Sequence, residues 1–426
     1  MENYFLKCDI SGIQSFIFNV ASEGAAKSLK SRSEYVKTIA DDCLKKLKDF
    51  FGTNNATELY NGGGNFYLKI KTDKSETEVQ NFIAENIYKP KIDKDIFAYV
   101  SFVKGNGEKT GELLNAVNLK VNKAKLQRPV SFELLDAKPI KVEDVDINTI
   151  KGINGQVPKG DFEWIANKSD GDKKLAALKL DVDNLGTLFR DRAKDDYKKL
   201  SKALKDFFDS KLLLLIKELE MQQHIYVVFS GGDDCFLIGS WNKLFELAIK
   251  LQQRFSDFQV KLRKEITSLS QEDITFSAGI VVFQPHFPML QLSEEVENAL
   301  SASKRAEGKN SVTVFGKTLS WKDFEETQKL SKTFNDLINN EDERNRESKS
   351  LLQIFRLIYP QKKEMPKVWR LKYYLRRNVK KENEETVKKI FDDYSQALLH
   401  NYIGSNAKNA DIYLVASRWA ELLSRN

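Results

Sequence analysis

Short runs of alternating apolar and polar residues occur along the first third of the chain, a pattern typical of β-strands with one buried face. The first run, YFLKCD, ends on Asp9 and is followed by a glycine and a helical pattern. Two further runs flank a glycine-rich turn in LYNGGGNFYLKI, which predicts a β-hairpin. After the hairpin, a further strand is predicted from Ile96 to Val103. The predicted order is strand, helix, hairpin, helix, strand, helix, strand.

The same order of elements recurs in the middle of the chain. The run LAALKLD ends on Asp181, and a second hairpin pattern, YVVFSGGDDCFLIG, follows at a similar distance. A further strand is predicted from Ile274 to Phe283, and the helix after it ends in a basic pair, Lys304 and Lys309, matched by Lys123 and Arg128 in KAKLQRPVSFEL of the first half. Four matched features in one order indicate an internal duplication. The predicted fold class is α+β, with two ferredoxin-like palm domains of four- or five-stranded antiparallel sheet backed by helices.

The C-terminal region differs, because helical spacing of apolar residues replaces the strand pattern in LLQIFRLI. We therefore predict a first palm over 1–136, a connector or small insert over 137–174, a second palm over 175–320 and a helical domain over 321–426. The basic segment 367–381 is predicted to serve assembly or contact with RNA, although a solvated charged face gives the same pattern.

Composition fits a globular protein. Hydrophobic residues make up 41% of the chain and charged residues 30%, with 8 prolines, unlike a disordered or fibrous chain. Apolar runs are far shorter than the ~20 residues of a membrane span, so we predict a cytoplasmic protein without a membrane partner. Cys8, Cys43 and Cys235 are scattered and odd in number, which argues against a disulfide framework. A net charge of +7 permits an RNA or nucleotide partner without requiring one.

Carboxylates are concentrated at the strand end and the hairpin of the second half. Palm-type nucleotidyl transfer needs two divalent cations about 3.5 to 4 Å apart, and hard cations prefer oxygen ligands. Asp181 ends the strand, and Asp233 and Asp234 follow the two hairpin glycines, whose tip can lie beside Asp181. Asp183 is predicted to share a face with Asp181, although it could instead cap the next helix. An isolated GGDD is more often a structural turn, and the preceding DVDNLG makes catalysis the better interpretation.

Residues beside these carboxylates offer places for a triphosphate. Asn184, Leu185 and Gly186 begin a predicted helix, whose N-terminal amides attract anions. Gly231 and Gly232 let the backbone approach a phosphate. Ser230 either reaches a base or stabilises the turn. Lys304 and Lys309 are each either a phosphate contact or an ordinary solvated charge. The candidate nucleotide-binding residues of the second half are Asn184, Leu185, Gly186, Ser230, Gly231, Gly232, Lys304 and Lys309.

The first half lacks this chemistry. Gly64 and Asn65 stand where the second half has its two hairpin aspartates, so Asp9 has no carboxylate partner for two metal ions. We therefore predict a degenerate palm. Its glycine turn, with Gly62 and Gly63, either binds nucleotide without reacting or only preserves the fold, and we favour a shared nucleotide site at the palm interface.

Taken together, these motifs carry a specific resemblance. DISGIQSFIF with AAKSLKSRSEYV in the first half, and LDVDNLG, FSGGDD and SKRAEGKNSVTVFG in the second, resemble the large signature subunit of type III CRISPR interference complexes, a cyclic oligoadenylate synthetase. The resemblance implies two palms, a C-terminal helical domain that touches the small subunits, and metal-dependent joining of ATP through 3′–5′ bonds when target RNA is bound. The implied partners are guide RNA, target RNA, small and stem subunits, ATP, and two Mg²⁺ or Mn²⁺ ions.

The resemblance also implies roles for individual residues. Asp181, Asp233 and the carbonyl of Val182 carry over as metal ligands. Asp234 carries over as a ligand or base, and Ser230 as a contact to adenine. The basic pair of the second half resembles the phosphate-binding lysines of the related diguanylate cyclases.

The chain departs from this family pattern at two points. Many members begin with a histidine-aspartate nuclease domain, but none of His224, His286 and His400 precedes an aspartate, so we predict no cleavage of single-stranded DNA. Members often carry a four-cysteine zinc ribbon between the palms, which three cysteines cannot make. A stand-alone cyclase of the diguanylate type is a second interpretation, disfavoured by the duplicated palm and helical domain. A non-catalytic scaffold is a third, disfavoured by the intact carboxylate set.

Overall fold

A computed structural model of the chain describes residues 2–22, 24–62, 64–88, 96–105, 110–126, 162–186, 194–266, 269, 274–360, 364–404 and 409–425. These residues form two β-sheets, the helices that cover them and a group of C-terminal helices. The predicted fold class, α+β with two palms followed by a helical region, is confirmed. None of the described helices is both long and apolar enough to cross a bilayer.

The first palm is a four-stranded sheet in which every neighbouring pair of strands is antiparallel, in the order β2, β3, β1, β4. Along β1 the side chains of Tyr4, Leu6, Cys8 and Ile10 alternate onto one buried face, as the sequence pattern predicts. The last predicted strand and Arg128 of the first basic pair lie outside the described residues. In chain order the elements are β1 (Glu2–Ser11), α1 (Ile13–Phe18), α2 (Ala25–Phe51), β2 (Ala56–Gly62), β3 (Asn65–Thr72), α3 (Glu76–Ile83), β4 (Phe97–Gly105) and α4 (Thr110–Leu126).

The second palm is a six-stranded sheet in the order β10, β9, β8, β5, β7, β6. Its β8 and β9 are parallel, which corrects the prediction of a wholly antiparallel sheet of four or five strands. The reason is the long helix between these two strands, because such a crossover returns the chain in the same direction. The elements are α5 (Phe162–Asn167), β5 (Leu175–Val182), α6 (Lys194–Asp206), α7 (Leu212–Glu218), β6 (Ile225–Gly231), β7 (Asp234–Ser240), α8 (Trp241–Glu265), β8 (Phe276–Phe283), α9 (Met289–Arg305), β9 (Ser311–Val314) and β10 (Lys317–Ser320).

The two palms pack against each other reciprocally. Helix α2 of the first palm packs on β6 of the second, and helix α6 of the second packs on β2 of the first. The hydroxyl of Tyr226 on β6 donates to the carbonyl of Ala26 on α2, in the buried centre of this interface. Strand β5 reads as a nearly continuous apolar run because both of its faces are covered. The hairpins of both palms therefore meet at one interface.

The C-terminal helices are α10 (Trp321–Ile338), α11 (Ser350–Ile358), α12 (Trp369–Asn378), α13 (Glu384–Tyr402) and α14 (Asp411–Leu423). They enclose a core of their own around Phe355, whose ring packs against Phe334, Phe391 and Tyr394. Helix α14 returns to the second palm, where Trp419 meets Phe245 edge to face at 4.7 Å. The helical region thus shares apolar packing with the second palm. Of the predicted connector 137–174, only residues from 162 onward are described.

Candidate active site at the palm interface

Strand pairing brings the candidate aspartates of the second palm together. Asp181 on β5 and Asp234 on β7 are directly opposite each other, so their side chains lie on the same face of the sheet. Asp233 lies in the two-residue turn before β7, and its carbonyl accepts from the backbone N–H of Val182 at 3.0 Å. Gly232 in this turn has φ 71°, a conformation that favours glycine. The hairpin tip therefore lies beside Asp181, as predicted.

These three carboxyl groups resist ionisation together. Oδ1 of Asp234 is shielded from solvent and has no hydrogen-bond partner among the described residues. Burial, followed by the charge of Asp233, raises the pKa of Asp234 to about 8. Burial and the charge of Asp181 raise the pKa of Asp233, against a hydrogen bond that lowers it. Burial also raises the pKa of Asp181, and Lys304 opposes that shift.

The donor set suits a hard divalent cation, although the described side chains do not enclose one. No three of the described histidine, cysteine, aspartate and glutamate side chains stand in a geometry that would hold a metal ion. Instead, Nζ of Lys304 on α9 lies 2.6 Å from Oδ1 of Asp181. One oxygen of Asp234 has no partner among the described residues, and Asp233 and Asp181 also have raised pKa values. These carboxyl oxygens would coordinate Mg²⁺ or Mn²⁺, and the cation would balance their negative charge. A bound cation would compete with Lys304 for Asp181.

The turn after β5 holds the second lysine of the basic pair. Nζ of Lys309 donates to Oδ1 of Asn184 at 2.6 Å, and Asn184 has φ 55°. Leu185 and Gly186 are helical, but the residues that follow, 187–193, lie outside the described part of the chain. The structure thus brings both lysines to the carboxylate edge, one to Asp181 and one to the adjacent turn.

Asp183 does not join the candidate site. The strand ends at Val182, so the period-two argument that placed Asp183 beside Asp181 does not apply. Its buried carboxylate instead accepts from the hydroxyls of Thr275 and Ser277, at 2.9 and 2.8 Å, and from the backbone N–H of Asn310 at 3.1 Å. These bonds tie the turn after β5 to β8 and to the loop that carries the second lysine, so Asp183 holds the site's framework together.

The first palm contributes Tyr60 to this site, a contact that sequence reasoning missed. The hydroxyl of Tyr60 on β2 donates to Oδ1 of Asp233 at 2.9 Å. A Cβ atom added to Gly62 would stand 2.7 Å from Cα of Gly232, so the two hairpin turns touch through their glycines. The tip of the GGDD hairpin is therefore part of the interface between the palms. Gly63, the other glycine expected to bind nucleotide, lies outside the described residues.

A cavity of about 220 Å³ opens at the interface beside Asp233. It is smaller than the roughly 300 to 1,000 Å³ of pockets for drug-sized ligands, so it fits part of a nucleotide. Side-chain amides and phenol hydroxyls line it, and the spacing of Asn115 and Asn118 on a helical pattern was a signal that the sequence offered. The lining residues are Lys7, Tyr60, Asn65, Tyr67, Gly111, Leu114, Asn115, Asn118, Leu185, Gly186 and Asp233.

Ser230 points into its own palm. Its hydroxyl donates to the carbonyl of Phe208 at 2.5 Å, which fixes β6 against the segment between α6 and α7. This contact is neither of the two predicted ones, and stabilisation of the hairpin turn and contact with adenine both stay predictions. Gly231, one residue further, pairs with Asp234 across the hairpin.

Two family models match the chain over its two palms. Residues 174–313 match the second palm domain of Cas10/Cmr2, and residues 3–129 match domain B of the Csm1 subunit. The first match contains both strands of the GGDD hairpin, the neighbouring strand β5 and the basic pair. The second contains the degenerate hairpin.

Curated relatives and solved structures agree with these models. The chain is 24% identical over 444 residues to the Enterococcus italicus protein named CRISPR system single-strand-specific deoxyribonuclease Cas10/Csm1 (subtype III-A), covering 76% of this chain and 56% of that protein. It is 24% identical to the Streptococcus thermophilus protein of the same name, covering 74% and 54%. The chain thus spans about half the length of these relatives.

Among solved structures, the Csm1-Csm4 cassette in complex with pppApApA superposes with a TM-score of 0.72 at 18% identity, covering all of this chain and 70% of that one. The cassette in complex with cA4 gives 0.71 at the same identity and coverage. At this identity the likeness shows the fold. The two domain models and the curated relatives assign both palms of this chain to the Cas10/Csm1 family.

Proposed function

We propose that the second palm of this chain joins ATP molecules through 3′–5′ bonds into cyclic oligoadenylates, as the large subunit of a type III CRISPR complex activated by target RNA. One observation carries the proposal: Asp181 and Asp234 face each other in register beside Asp233, and an oxygen of Asp234 lacks any described partner. Related cassettes were solved in complex with one ATP, pppApA and cA4, which are the substrate and products of such a reaction.

Asp181, Asp233, Asp234 and the carbonyl of Val182 would hold the divalent cations. Bound Mg²⁺ or Mn²⁺ supplies activation of the attacking hydroxyl and neutralisation of the triphosphate charge. Lys304 neutralises Asp181, with Nζ 2.6 Å from Oδ1. With a cation on that carboxylate, Lys304 would be free to contact a phosphate oxygen.

Phosphate and base would lie on opposite sides of the hairpin. Lys309, held against Asn184, and the backbone of Leu185 and Gly186 offer positive charge and N–H groups for the triphosphate. The interface cavity, lined by the amides of the first palm, takes part of the second nucleotide. The first palm therefore binds a nucleotide without catalysing a reaction, because Asp9 pairs with Asn65 and has no carboxylate beside it on β3.

The partners follow from the family. Csm4 is the partner of Csm1 in the related cassettes, and we propose a stem subunit of that kind, small subunits, guide RNA and target RNA for this chain. Relatives are named single-strand-specific deoxyribonucleases, and the absence of that activity from this chain stays a prediction.

Radiolabelled ATP separates the candidate functions. We expect the assembled complex to convert it to oligoadenylates with Mg²⁺ or Mn²⁺ when target RNA is present, as seen by thin-layer chromatography. Changing Asp233 and Asp234 together to asparagine should lower the rate by about a thousandfold or more, since several kcal/mol of transition-state stabilisation is lost. Asp41→Asn with Asp49→Asn is the matched control, because both residues are exposed on α2.

Each alternative gives a different result in the same assay. Turnover without any RNA, or preferential use of GTP, would favour a stand-alone diguanylate-type cyclase. No turnover under any condition, with guide RNA and subunits bound normally, would favour a scaffold. Parental rates in the double asparagine variant would exclude the carboxylate site.

A further inference from the structure

Helix α12 exposes a strip of aromatic and basic side chains. Its buried side is anchored by Leu371, which is 1% exposed, and by Tyr374, whose hydroxyl lies 2.7 Å from that of Ser350. At 100° per residue, six of the remaining eight side chains occupy one continuous arc on the opposite side, and Leu375 and Asn378 lie outside it. All six are exposed, and we call them the α12 strip: Trp369, Arg370, Lys372, Tyr373, Arg376 and Arg377.

The aromatic residues of the strip are unusually accessible. Trp369 is 63% exposed and Tyr373 is 54% exposed, whereas Trp241, Trp321 and Trp419 are at most 5% exposed. Large apolar surface left in water costs free energy, and aromatic residues are enriched on surfaces that bind a partner. The two rings stand one helical turn apart, at i and i+4, so both face outward in a row.

The cations of the strip have no acidic partners. Arg370, Lys372, Arg376 and Arg377 form no salt bridge with any described residue, and the helix sequence WRLKYYLRRN contains no acid. Lys372 and Arg376 are like charges at i and i+4, which destabilises an isolated helix. Helix stability therefore does not account for this arrangement.

Two of the guanidinium groups lie over the exposed rings. Arg370 is 5.5 Å from the ring centroid of Trp369, and Arg377 is 4.9 Å from that of Tyr373. Both rings are thus exposed to solvent with a positive charge within cation–π distance. An open aromatic face next to a cation is the local chemistry that stacks a base and pairs with its phosphate.

We propose that the α12 strip binds single-stranded nucleic acid, with bases stacked on Trp369 and Tyr373 and phosphates paired with the four cations. Residues 369 to 377 span about 12 Å along the helix, enough for about three stacked bases at 3.4 Å each. Charge complementarity favours a polyanion over a protein partner, because four uncompensated cations lie within ten residues that hold no acid. The inference is independent of the chemistry at the second palm.

Oligonucleotide binding by the whole chain tests the stacking contacts. The probes are 5′-fluorescein-labelled U12 and dT12, followed by anisotropy in EDTA without ATP, so that the active site is not engaged. Trp369→Ala and Tyr373→Ala should each weaken binding by roughly 5- to 150-fold, the range for loss of one stacked base. Trp369→Phe should restore most of the affinity, since a flat ring remains. Parental affinity in both alanine variants would overturn the proposal.

A set of charge variants tests the phosphate contacts. Changing the four strip cations to glutamine should weaken binding by about tenfold or more and reduce the slope of log affinity against log salt by about 0.7 per lost contact. The matched control replaces four exposed lysines of the neighbouring helices, Lys322, Lys332, Lys388 and Lys389, with the same change in net charge. Equal losses in both sets would overturn the proposal. So would strip variants that bind both probes normally but fail to copurify with small or stem subunits, because the strip would then be a protein interface.

Discussion

The two palms share a backbone design and differ in chemistry. In the first, Asp9 pairs with Asn65 across β1 and β3; in the second, Asp181 pairs with Asp234 across β5 and β7. Each hairpin carries the same irregularity two to four residues before its last paired glycine, between Glu58 and Tyr60 before Gly62, and between Val227 and Phe229 before Gly231. Duplication therefore preserved the pairing register and the bulge, while the hairpin side chains diverged.

The charged groups around Asp9 and Asp181 show the consequence of this divergence. Asp9 is held by Lys7 and Lys125, each 3.0 Å away, and it has no carboxylate opposite it. Asp181 has Lys304 at 2.6 Å and carboxylates on its neighbour strand and turn. Lys125 on α4 is thus the structural counterpart of Lys304, and the sequence match that paired Lys123 with Lys304 was wrong by two residues. The first palm neutralises its aspartate with lysines, and the second leaves carboxylates in excess.

The largest predicted effect compares the two aspartates. Asp181→Ala should lower oligoadenylate synthesis by about a thousandfold or more, because a candidate metal ligand is lost. Asp9→Ala should lower it by less than about tenfold, since the carboxylate of Asp9 forms ion pairs with two lysines of its own palm. Rates come from single-turnover assays with radiolabelled ATP at saturating Mg²⁺. Equal loss in the two variants would mean that the first palm takes part in the chemistry.

The glycine contact between the palms gives the next largest effect. Gly232→Ala places a Cβ 2.7 Å from the hydroxyl oxygen of Tyr60, at a residue with φ 71°. Overpacking and left-handed strain together should cost roughly 2 to 4 kcal/mol in the free energy of unfolding. Gly316→Ala is the matched control, because it has φ 73° and open space around its Cβ. If urea denaturation shows equal losses, strain alone explains the effect and the palms do not meet there.

Proton binding at the carboxylate edge predicts a pH dependence of stability. The folded-state pKa of Asp234 is raised to about 8, above the ~3.9 of an unfolded aspartate. The folded state therefore binds the proton more tightly, and stability falls as pH rises from about 4 towards 8, by at most about 1.4 kcal/mol per pH unit for one group. Urea denaturation in EDTA measures this slope. Asp234→Asn should flatten it, and an unchanged slope would assign the dependence to other groups.

Much of this organisation was predictable from the sequence. Strand β1 ends at Ser11, two residues beyond the predicted Asp9, and β5 ends at Val182, one residue beyond Asp181. The ends are close to those predicted because alternating apolar residues and hairpin glycines are local signals. The parallel pair β8 and β9 was not predicted, since strand direction depends on a crossover helix whose packing the pattern does not report. The role of Asp183 was missed for a similar reason: its partners, Thr275 and Ser277, are distant in sequence.

The hydrogen bond from Tyr60 of the first palm to Asp233 was also not predictable. Tyr60 reads as an ordinary strand residue in ATELYNG, and nothing local indicates that its hydroxyl meets an aspartate of the other palm. Such contacts depend on how two domains dock, which local patterns do not encode. The glycine turns were recognised, but their mutual contact follows only from the reciprocal packing of α2 and α6.

The smallest predicted effect isolates that hydroxyl. Tyr60→Phe removes the hydrogen bond to Asp233 that holds its pKa down, so Asp233 should protonate more readily. We expect the Mg²⁺ concentration at half-maximal activity to rise by about fivefold, or about 1 kcal/mol, with the KM for ATP little changed. Tyr67→Phe is the matched control, because its hydroxyl lines the same cavity but donates to Asn118 at 2.7 Å. Mn²⁺ binding followed by electron paramagnetic resonance gives a readout independent of turnover. If both variants weaken Mn²⁺ binding equally, or neither does, Tyr60 does not position Asp233, and the two palms act on the nucleotide separately.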